Sequence, residues 1–115
     1  MRYLAITLGF VACALGCSSS STSSAANCAS SGASATISAS DALTFSPGSA
    51  TITHGQSVCW QNTGAIAHTV TSNDNTSFNS NLAGGAMFQF TFPTAGSFAY
   101  RCTIHPGMTG TITVN

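Results

Sequence analysis

Apolar side chains recur at every second position along the last third of this 115-residue chain. Phe88, Phe90 and Phe92 are each separated by one polar residue, and a turn-forming run, Pro-Thr-Ala-Gly, follows at 93–96. Phe98, Tyr100 and Cys102 then continue the same period. Successive side chains of a β-strand point to opposite faces, whereas a helix repeats every 3.6 residues. The pattern therefore predicts two strands, each with one face buried.

Shorter segments with the same period lie upstream and at the C-terminus. They cover residues 35–38, 43–45, 50–53, 57–62, 68–72 and 110–114. Ser46-Pro47-Gly48 and His54-Gly55 are turn signals between them. Short strands with regularly spaced turns favour an all-β fold, an antiparallel Greek-key sandwich or barrel of about 7–8 strands. The polar, Gly- and Asn-rich stretch 73–85 is predicted to be a long loop.

The N-terminus has the features of an export signal. Met1-Arg2 precedes 14 mostly apolar residues, a run too short to span a bilayer comfortably. Residues 1–16 are predicted to be a signal peptide. Residues 14–17, Ala-Leu-Gly-Cys, resemble a lipobox ending in a lipidated Cys17, although the leucine stands one place later than usual. The alternative is ordinary cleavage near Ala14 or Ala26, which would leave a soluble secreted protein.

Residues 17–35 are rich in Ser, Ala and Gly and have no apolar period. Such composition favours a flexible tether, which would hold the folded domain away from a membrane. The domain is then predicted to cover residues 36–115. A domain of about 80 residues buries a modest fraction of its surface, so a covalent cross-link would help it fold.

Formal charge is almost absent from the predicted domain. Beyond the signal peptide only Asp41, Asp74 and Arg101 are charged, a net of −1 with neutral histidines. Because no basic patch exists in the sequence, a nucleic-acid partner is not expected. Electrostatic steering of a charged partner should also be weak.

The five cysteines divide by position. Cys13 lies in the signal peptide, Cys17 is the candidate lipidation site, and Cys102 is a candidate metal ligand. Cys28 and Cys59 remain, and disulfides persist in exported proteins. We expect a Cys28–Cys59 bridge, with two free thiols as the alternative.

A short run near the C-terminus carries three soft or borderline metal donors. Cys102, His105 and Met108 follow one another with two residues between each pair. A thiolate and a thioether favour Cu(I), and imidazole suits both copper oxidation states. His68 can supply a second imidazole, because alternation places it and Cys102 inward at the ends of their strands. The four residues together predict a copper site.

Other interpretations of these residues exist. Each one alone is typical of a packed core side chain or a hydrogen-bonded polar group. Zinc could use the same donors, but methionine is a poor zinc ligand. Cys102 with His105 could form a nucleophilic pair, yet no oxyanion element is visible in the sequence. The protein is therefore not expected to be an enzyme.

The combined pattern resembles the cupredoxins, the type 1 blue copper proteins. It comprises Tyr100-x-Cys102-x-x-His105-x-x-Met108-x-Gly110, preceded by Val58-x-Trp60-x-Asn62 and His68-Thr69-Val70. The resemblance covers the whole predicted domain and is closest to a plastocyanin-like domain with a short ligand loop of the amicyanin type. It implies one copper ion bound by His68, Cys102 and His105, with Met108 as a weak axial ligand.

Two positions depart from the family pattern. Many cupredoxins have Asn after the upstream histidine, where this chain has Thr69, whose hydroxyl is expected to bond toward Thr103. Many also have Pro before the second histidine, where this chain has Ile104. Neither change removes a ligand.

The resemblance implies a monomeric carrier of single electrons that docks briefly with redox proteins. The N-terminal signal adds that this carrier is exported to the periplasm or the outer surface, either lipid-anchored at Cys17 or soluble. His105 would be the exit, among Ala65, Ile66 and Pro106. One alternative is a module for copper storage or delivery. Another is a structural or adhesive sandwich that keeps the motif without using it.

Overall fold

The computed structural model describes residues 27–115, which form a β-sandwich. The strands are β1 (Ala35–Ala39), β2 (Phe45–Ser46), β3 (Ser49–Ile52), β4 (Ser57–Asn62), β5 (His68–Ser72), β6 (Asn79–Leu82), β7 (Met87–Thr91), β8 (Gly96–Arg101) and β9 (Thr109–Val114). Within this range the helical structure is a single 3-10 turn, Cys28–Ser30. The predicted all-β fold is confirmed, with nine strands instead of about 7–8.

The strands form two sheets in a non-sequential order. One sheet has the order β2-β1-β4-β7 and the other β3-β9-β8-β5-β6. Unlike the all-antiparallel arrangement expected from the sequence, both sheets are mixed, because β1 pairs with β4 and β3 with β9 in parallel. Alternation indicates which side chains of a strand face the core. It does not indicate whether the neighbouring strand runs parallel or antiparallel, because the side-chain period is the same in both cases.

The predicted loop 73–85 contains a strand. β6 pairs antiparallel with β5, so that His68 lies opposite Leu82. β6 stands at the edge of its sheet and only Leu82 in it is fully buried. An edge strand of polar residues is a common way to block further strand pairing, and it shows no apolar period in the sequence.

The disulfide between Cys28 and Cys59 is formed, as predicted. It ties the 3-10 turn to β4, and the Cys28 N–H also donates to the Gln61 side-chain oxygen at 3.0 Å. Residues 28–35, which the sequence assigned to the tether, therefore include a segment fastened to the sandwich. The predicted signal peptide, Cys17 and the tether up to residue 26 lie outside the described residues. No helix in residues 27–115 is long and apolar enough to cross a membrane.

Aromatic side chains fill the space between the sheets. Trp60 on β4 meets Tyr100 on β8 edge to face, with ring centroids 5.4 Å apart, and both side chains are fully buried. Gly110 on β9 lies opposite Tyr100, and a Cβ there would come within 2.3 Å of the tyrosine ring and hydroxyl. Glycine at 110 thus lets Tyr100 fill the core two residues before Cys102.

The stability of the fold should fall at high pH because of Tyr100. Burial raises its pKa from 10 to about 12, an effect that the neighbouring Trp60 indole opposes only in part. A raised pKa favours the neutral phenol in the folded state, so its contribution is complete below pH 10 and is lost as pH rises to about 12. The rise of the Tyr100 pKa from 10 to about 12 corresponds to roughly 2–3 kcal/mol of unfolding free energy.

Ultraviolet titration of tyrosinate can measure this directly, because Tyr3 and Tyr100 are the two tyrosines of the chain. In a protein starting after the predicted signal peptide, the absorbance change should be centred near pH 12. Tyr100→Phe should remove it. A transition centred near pH 10 in the folded protein would contradict the prediction.

Candidate metal centre

His68 opens β5 and is 1% exposed. Its Nε2 lies 3.0 Å from the carbonyl oxygen of Ser40. A carbonyl can only accept a hydrogen bond, so Nε2 carries the proton and Nδ1 keeps a free lone pair. This bond fixes the tautomer that metal binding requires. Ser40 acts through its backbone, which is why no side-chain signal in the sequence pointed to it.

Cys102 follows β8 directly and begins the loop that returns into β9. Its N–H donates to the Met108 carbonyl at 2.9 Å, and the Met108 N–H donates to the His105 carbonyl at 3.2 Å. Gly107 has φ +88°, a left-handed conformation that glycine adopts without strain. These bonds fold the predicted ligand loop, residues 102–108, into one tight turn.

The structure brings three of the four predicted ligands together. His68 Nδ1 lies 3.2 Å from His105 Nδ1, which is 3.5 Å from Cys102 Sγ. The donor atoms of His68, Cys102 and His105 all lie within 4.8 Å of one another. Met108, the fourth, is 1% exposed and is bonded through its backbone to both loop residues. His68 and Cys102 meet in this cluster, which agrees with the inward placement predicted from alternation.

This donor set fits copper. Cys102 is buried and free of any disulfide, so its thiol is available as a thiolate ligand. The cluster combines that sulfur with two imidazole nitrogens, a set typical of type 1 copper sites. The N–H of Thr69 donates to the sulfur at 3.3 Å and would stabilise a negative charge there.

Thr69 also joins the two halves of the site. Its Oγ1 accepts the Thr103 N–H at 2.8 Å and lies 3.1 Å from the Thr103 hydroxyl. The expected link between Thr69 and Thr103 is therefore confirmed. Since Thr69 follows His68 and Thr103 follows Cys102, these bonds couple the strand-end ligand to the loop ligand.

Replacing Thr69 with valine should loosen the loop without removing a ligand. The Thr103 N–H would lose its acceptor, at a cost of about 1–2 kcal/mol in stability. Faster amide exchange at Thr103 and a lower denaturation midpoint would report the loss. Thr69→Ser keeps the hydroxyl and should behave like the wild type. Equal exchange rates at Thr103 in the valine and serine variants would contradict the role given to Thr69.

Comparison with known proteins agrees with this geometry. Residues 32–115 match the family of copper-binding proteins described as plastocyanin/azurin. A plastocyanin from Scenedesmus fuscus is 35% identical over 88 residues, which cover 65% of this chain and 90% of that protein.

Solved structures agree with the fold. A purple cupredoxin from Nitrosopumilus maritimus superposes with a TM-score of 0.64 at 29% identity, covering 70% of this chain and 99% of that one. Amicyanin from Paracoccus versutus gives a TM-score of 0.64 at 24% identity, covering 70% and 80%. The amicyanin match concerns the fold alone.

Proposed function

We propose that this chain, which belongs to the plastocyanin/azurin family of copper-binding proteins, carries single electrons between redox partners and is not an enzyme. Copper is the cofactor of this family. The observation that carries the proposal is the meeting of two imidazole nitrogens and one cysteine sulfur within 4.8 Å, at the junction of a strand end and a short loop.

Four side chains would hold the metal. His68 and His105 would bind through Nδ1, the atoms that face each other, and Cys102 through its thiolate. Met108, buried at the end of the same loop, would supply a thioether sulfur as a weaker fourth ligand. Bound copper would supply the one-electron couple Cu(II)/Cu(I), gaining one electron from a reduced partner and losing it to an oxidised one.

The protein supports these ligands with bonds that do not depend on the metal. Ser40 holds the His68 ring, and Thr69 holds both the Cys102 sulfur and the start of the loop. Ligands fixed in this way need little movement when the charge at the site changes by one. Such rigidity suits repeated electron transfer better than capture and release of the ion.

His105 is the exit for the electron in this proposal. Its side chain is half-buried, whereas Pro106 and Ala65 beside the site are exposed. Ile66 and Ile104 are 41% and 52% exposed and precede His68 and His105 closely in sequence. This face is apolar apart from the exposed Asp41 carboxylate, which accepts the Ala65 and Ile66 N–H groups. An apolar face with so little charge suits small, short-lived interfaces with redox proteins, formed by a monomeric carrier.

Electron exchange between copies of the protein should depend little on salt. Because the domain carries few charged side chains, the electrostatic interaction between two copies is weak and salt can screen little of it. We expect the self-exchange rate, measured by NMR in a half-oxidised sample, to change less than about threefold between about 0.02 and 0.5 M salt. A change of more than about tenfold would show that charge governs the encounter.

We further propose that the protein is exported and anchored. The proposed arrangement is a signal peptide at residues 1–16, a lipid on Cys17, a tether beyond it and a copper domain up to residue 115, in the periplasm or at the cell surface. The Cys28–Cys59 disulfide supports an oxidising compartment. Metabolic labelling with a fatty-acid analogue should mark the wild type and not Cys17→Ser. Absence of label on the wild type would leave a soluble secreted protein.

Storage or delivery of copper is the second candidate function, since cysteine and methionine sulfur retain Cu(I) well. A reductant followed by a Cu(I) chelator distinguishes the two. A carrier should keep its copper through many cycles of reduction and oxidation at a moderate chelator concentration. Release of the ion on the first reduction would favour storage or delivery.

A further inference from the structure

Asp41 links two loops at the metal end of the sandwich. It lies in the turn between β1 and β2, and its Oδ1 accepts the N–H groups of Ala65 and Ile66 at 3.0 Å each. Oδ2 lies 3.3 Å from the Ala65 nitrogen. The carboxylate therefore caps two consecutive N–H groups of the β4–β5 loop. These bonds also hold the pKa of Asp41 below its usual range.

Gly64 shows how closely this carboxylate is seated. A Cβ at position 64 would lie 2.0 Å from Asp41 Oδ1 and 2.4 Å from its carboxyl carbon. Only glycine leaves the space that the carboxylate occupies. The contact therefore depends on both loops, because the β1–β2 turn supplies the Asp41 carboxylate and the β4–β5 loop has a glycine, Gly64, where the carboxylate lies.

The same two loops support His68 from both sides. The residue before Asp41, Ser40, provides the carbonyl that accepts the His68 Nε2–H at 3.0 Å. That carbonyl also accepts the Leu43 N–H at 3.0 Å, which closes the turn around Asp41. Ile66, whose N–H binds Asp41, stands two residues before His68. Asp41 therefore connects the turn that fixes the His68 ring to the loop that leads into its backbone.

We propose that Asp41 is a positioning residue for the copper ligand His68, acting as a strap between the β1–β2 turn and the β4–β5 loop. The inference rests on the proposed copper function and deepens it. Without the carboxylate, the Ser40 carbonyl and the His68 ring would no longer be tied to one rigid unit. His68 would then sample orientations in which Nδ1 is misdirected.

Two substitutions distinguish the effect of the hydrogen bonds that Asp41 accepts from the effect of its negative charge. Asp41→Asn keeps an oxygen that can accept the Ala65 and Ile66 N–H groups and removes the negative charge. Asp41→Ala removes both. Loss of a nearby negative charge should raise the reduction potential in both variants, whereas loosening of His68 should occur in the alanine variant alone.

Asp74 provides a matched control. It is the other carboxylate of the domain, and it likewise caps consecutive N–H groups, those of Thr76 and Ser77, in the β5–β6 loop. That loop lies at the opposite end of β5 from His68. Asp74→Ala should disturb its own loop and leave the metal end unchanged.

The test is hydrogen exchange of the His68 Nε2–H and of the Ala65 and Ile66 amides, followed by NMR in the Cu(I)-loaded and the copper-free protein. In Asp41→Ala all three should exchange about tenfold faster or more, because the Ala65 and Ile66 N–H groups lose their acceptor oxygen and the two loops are no longer linked. Copper transfer to a chelator should accelerate in parallel. In Asp41→Asn the exchange rates and the rate of copper transfer should both be close to those of the wild type. Asp74→Ala should change neither rate.

The proposal is overturned if the His68 Nε2–H exchanges equally in Asp41→Ala and the wild type, or if Asp74→Ala has the same effect. The outcome is separable from that of the electron-carrier proposal. A wild type that binds no copper would remove the proposed function, while exchange in the copper-free protein would still show whether Asp41 holds His68.

Discussion

Replacement of Cys102 by serine is expected to abolish the intense blue colour that Cu(II) should give with the wild-type protein. That colour requires the bond between copper and the cysteine thiolate. Copper affinity should fall by more than about 100-fold. Mutation of a residue that only hydrogen-bonds to a metal ligand already lowers metal affinity by about 10–100-fold, and Cys102 is itself a proposed ligand. Visible absorption and competition with a chelator measure the two effects.

Serine is a suitable replacement because its shape nearly matches that of cysteine. Its oxygen can accept the Thr69 N–H that now points at the sulfur. The thermal midpoint of the copper-free protein should therefore change little, which separates loss of the ligand from loss of the fold. Cys28→Ser, which removes a cysteine outside the site, should retain the colour. A Cys102→Ser protein that turns as blue as the wild type would refute the ligand assignment.

Removal of the disulfide, by Cys28→Ala together with Cys59→Ala, should cost about 3–4 kcal/mol. The bridge joins residues 31 apart and restricts the unfolded chain by closing that loop. For a domain of this size the melting temperature should fall by roughly 15–25 °C. Calorimetry of the oxidised wild type and the double variant provides the measurement.

The loss should be confined to stability. Cys59 and the turn at Cys28 lie on the outer face of β4, opposite Trp60, and take no part in the cluster around His68. The double variant should still turn blue with Cu(II) well below its melting temperature. An unchanged melting temperature would mean that the bridge adds nothing to the fold, and a lost colour would mean that it supports the site.

Much of the site could be predicted because its parts follow simple periods. Alternation within strands placed Cys102 and His68 inward, and two-residue spacing put Cys102, His105 and Met108 on one short loop. Both features are local in sequence. The meeting of His68 with the loop also depended on both residues lying at strand ends, which alternation and turn signals indicate together.

The remaining features depend on contacts that leave little trace in the sequence. β6 is polar because it is an edge strand, so Asn79–Leu82 resembled a loop. The parallel pairs β1–β4 and β3–β9 arise from crossovers between sheets, which side-chain periods do not encode. Ser40 supports His68 through a carbonyl that every residue possesses, and Asp41 resembled an ordinary exposed carboxylate in a turn.

Cyclic voltammetry of the purified, copper-loaded protein tests the central claim most directly. We predict one reversible wave at a single potential, with equal oxidation and reduction currents and no copper lost to the buffer after repeated cycles. An irreversible wave, accompanied by release of copper on reduction, would contradict the assignment of this protein as a carrier of single electrons.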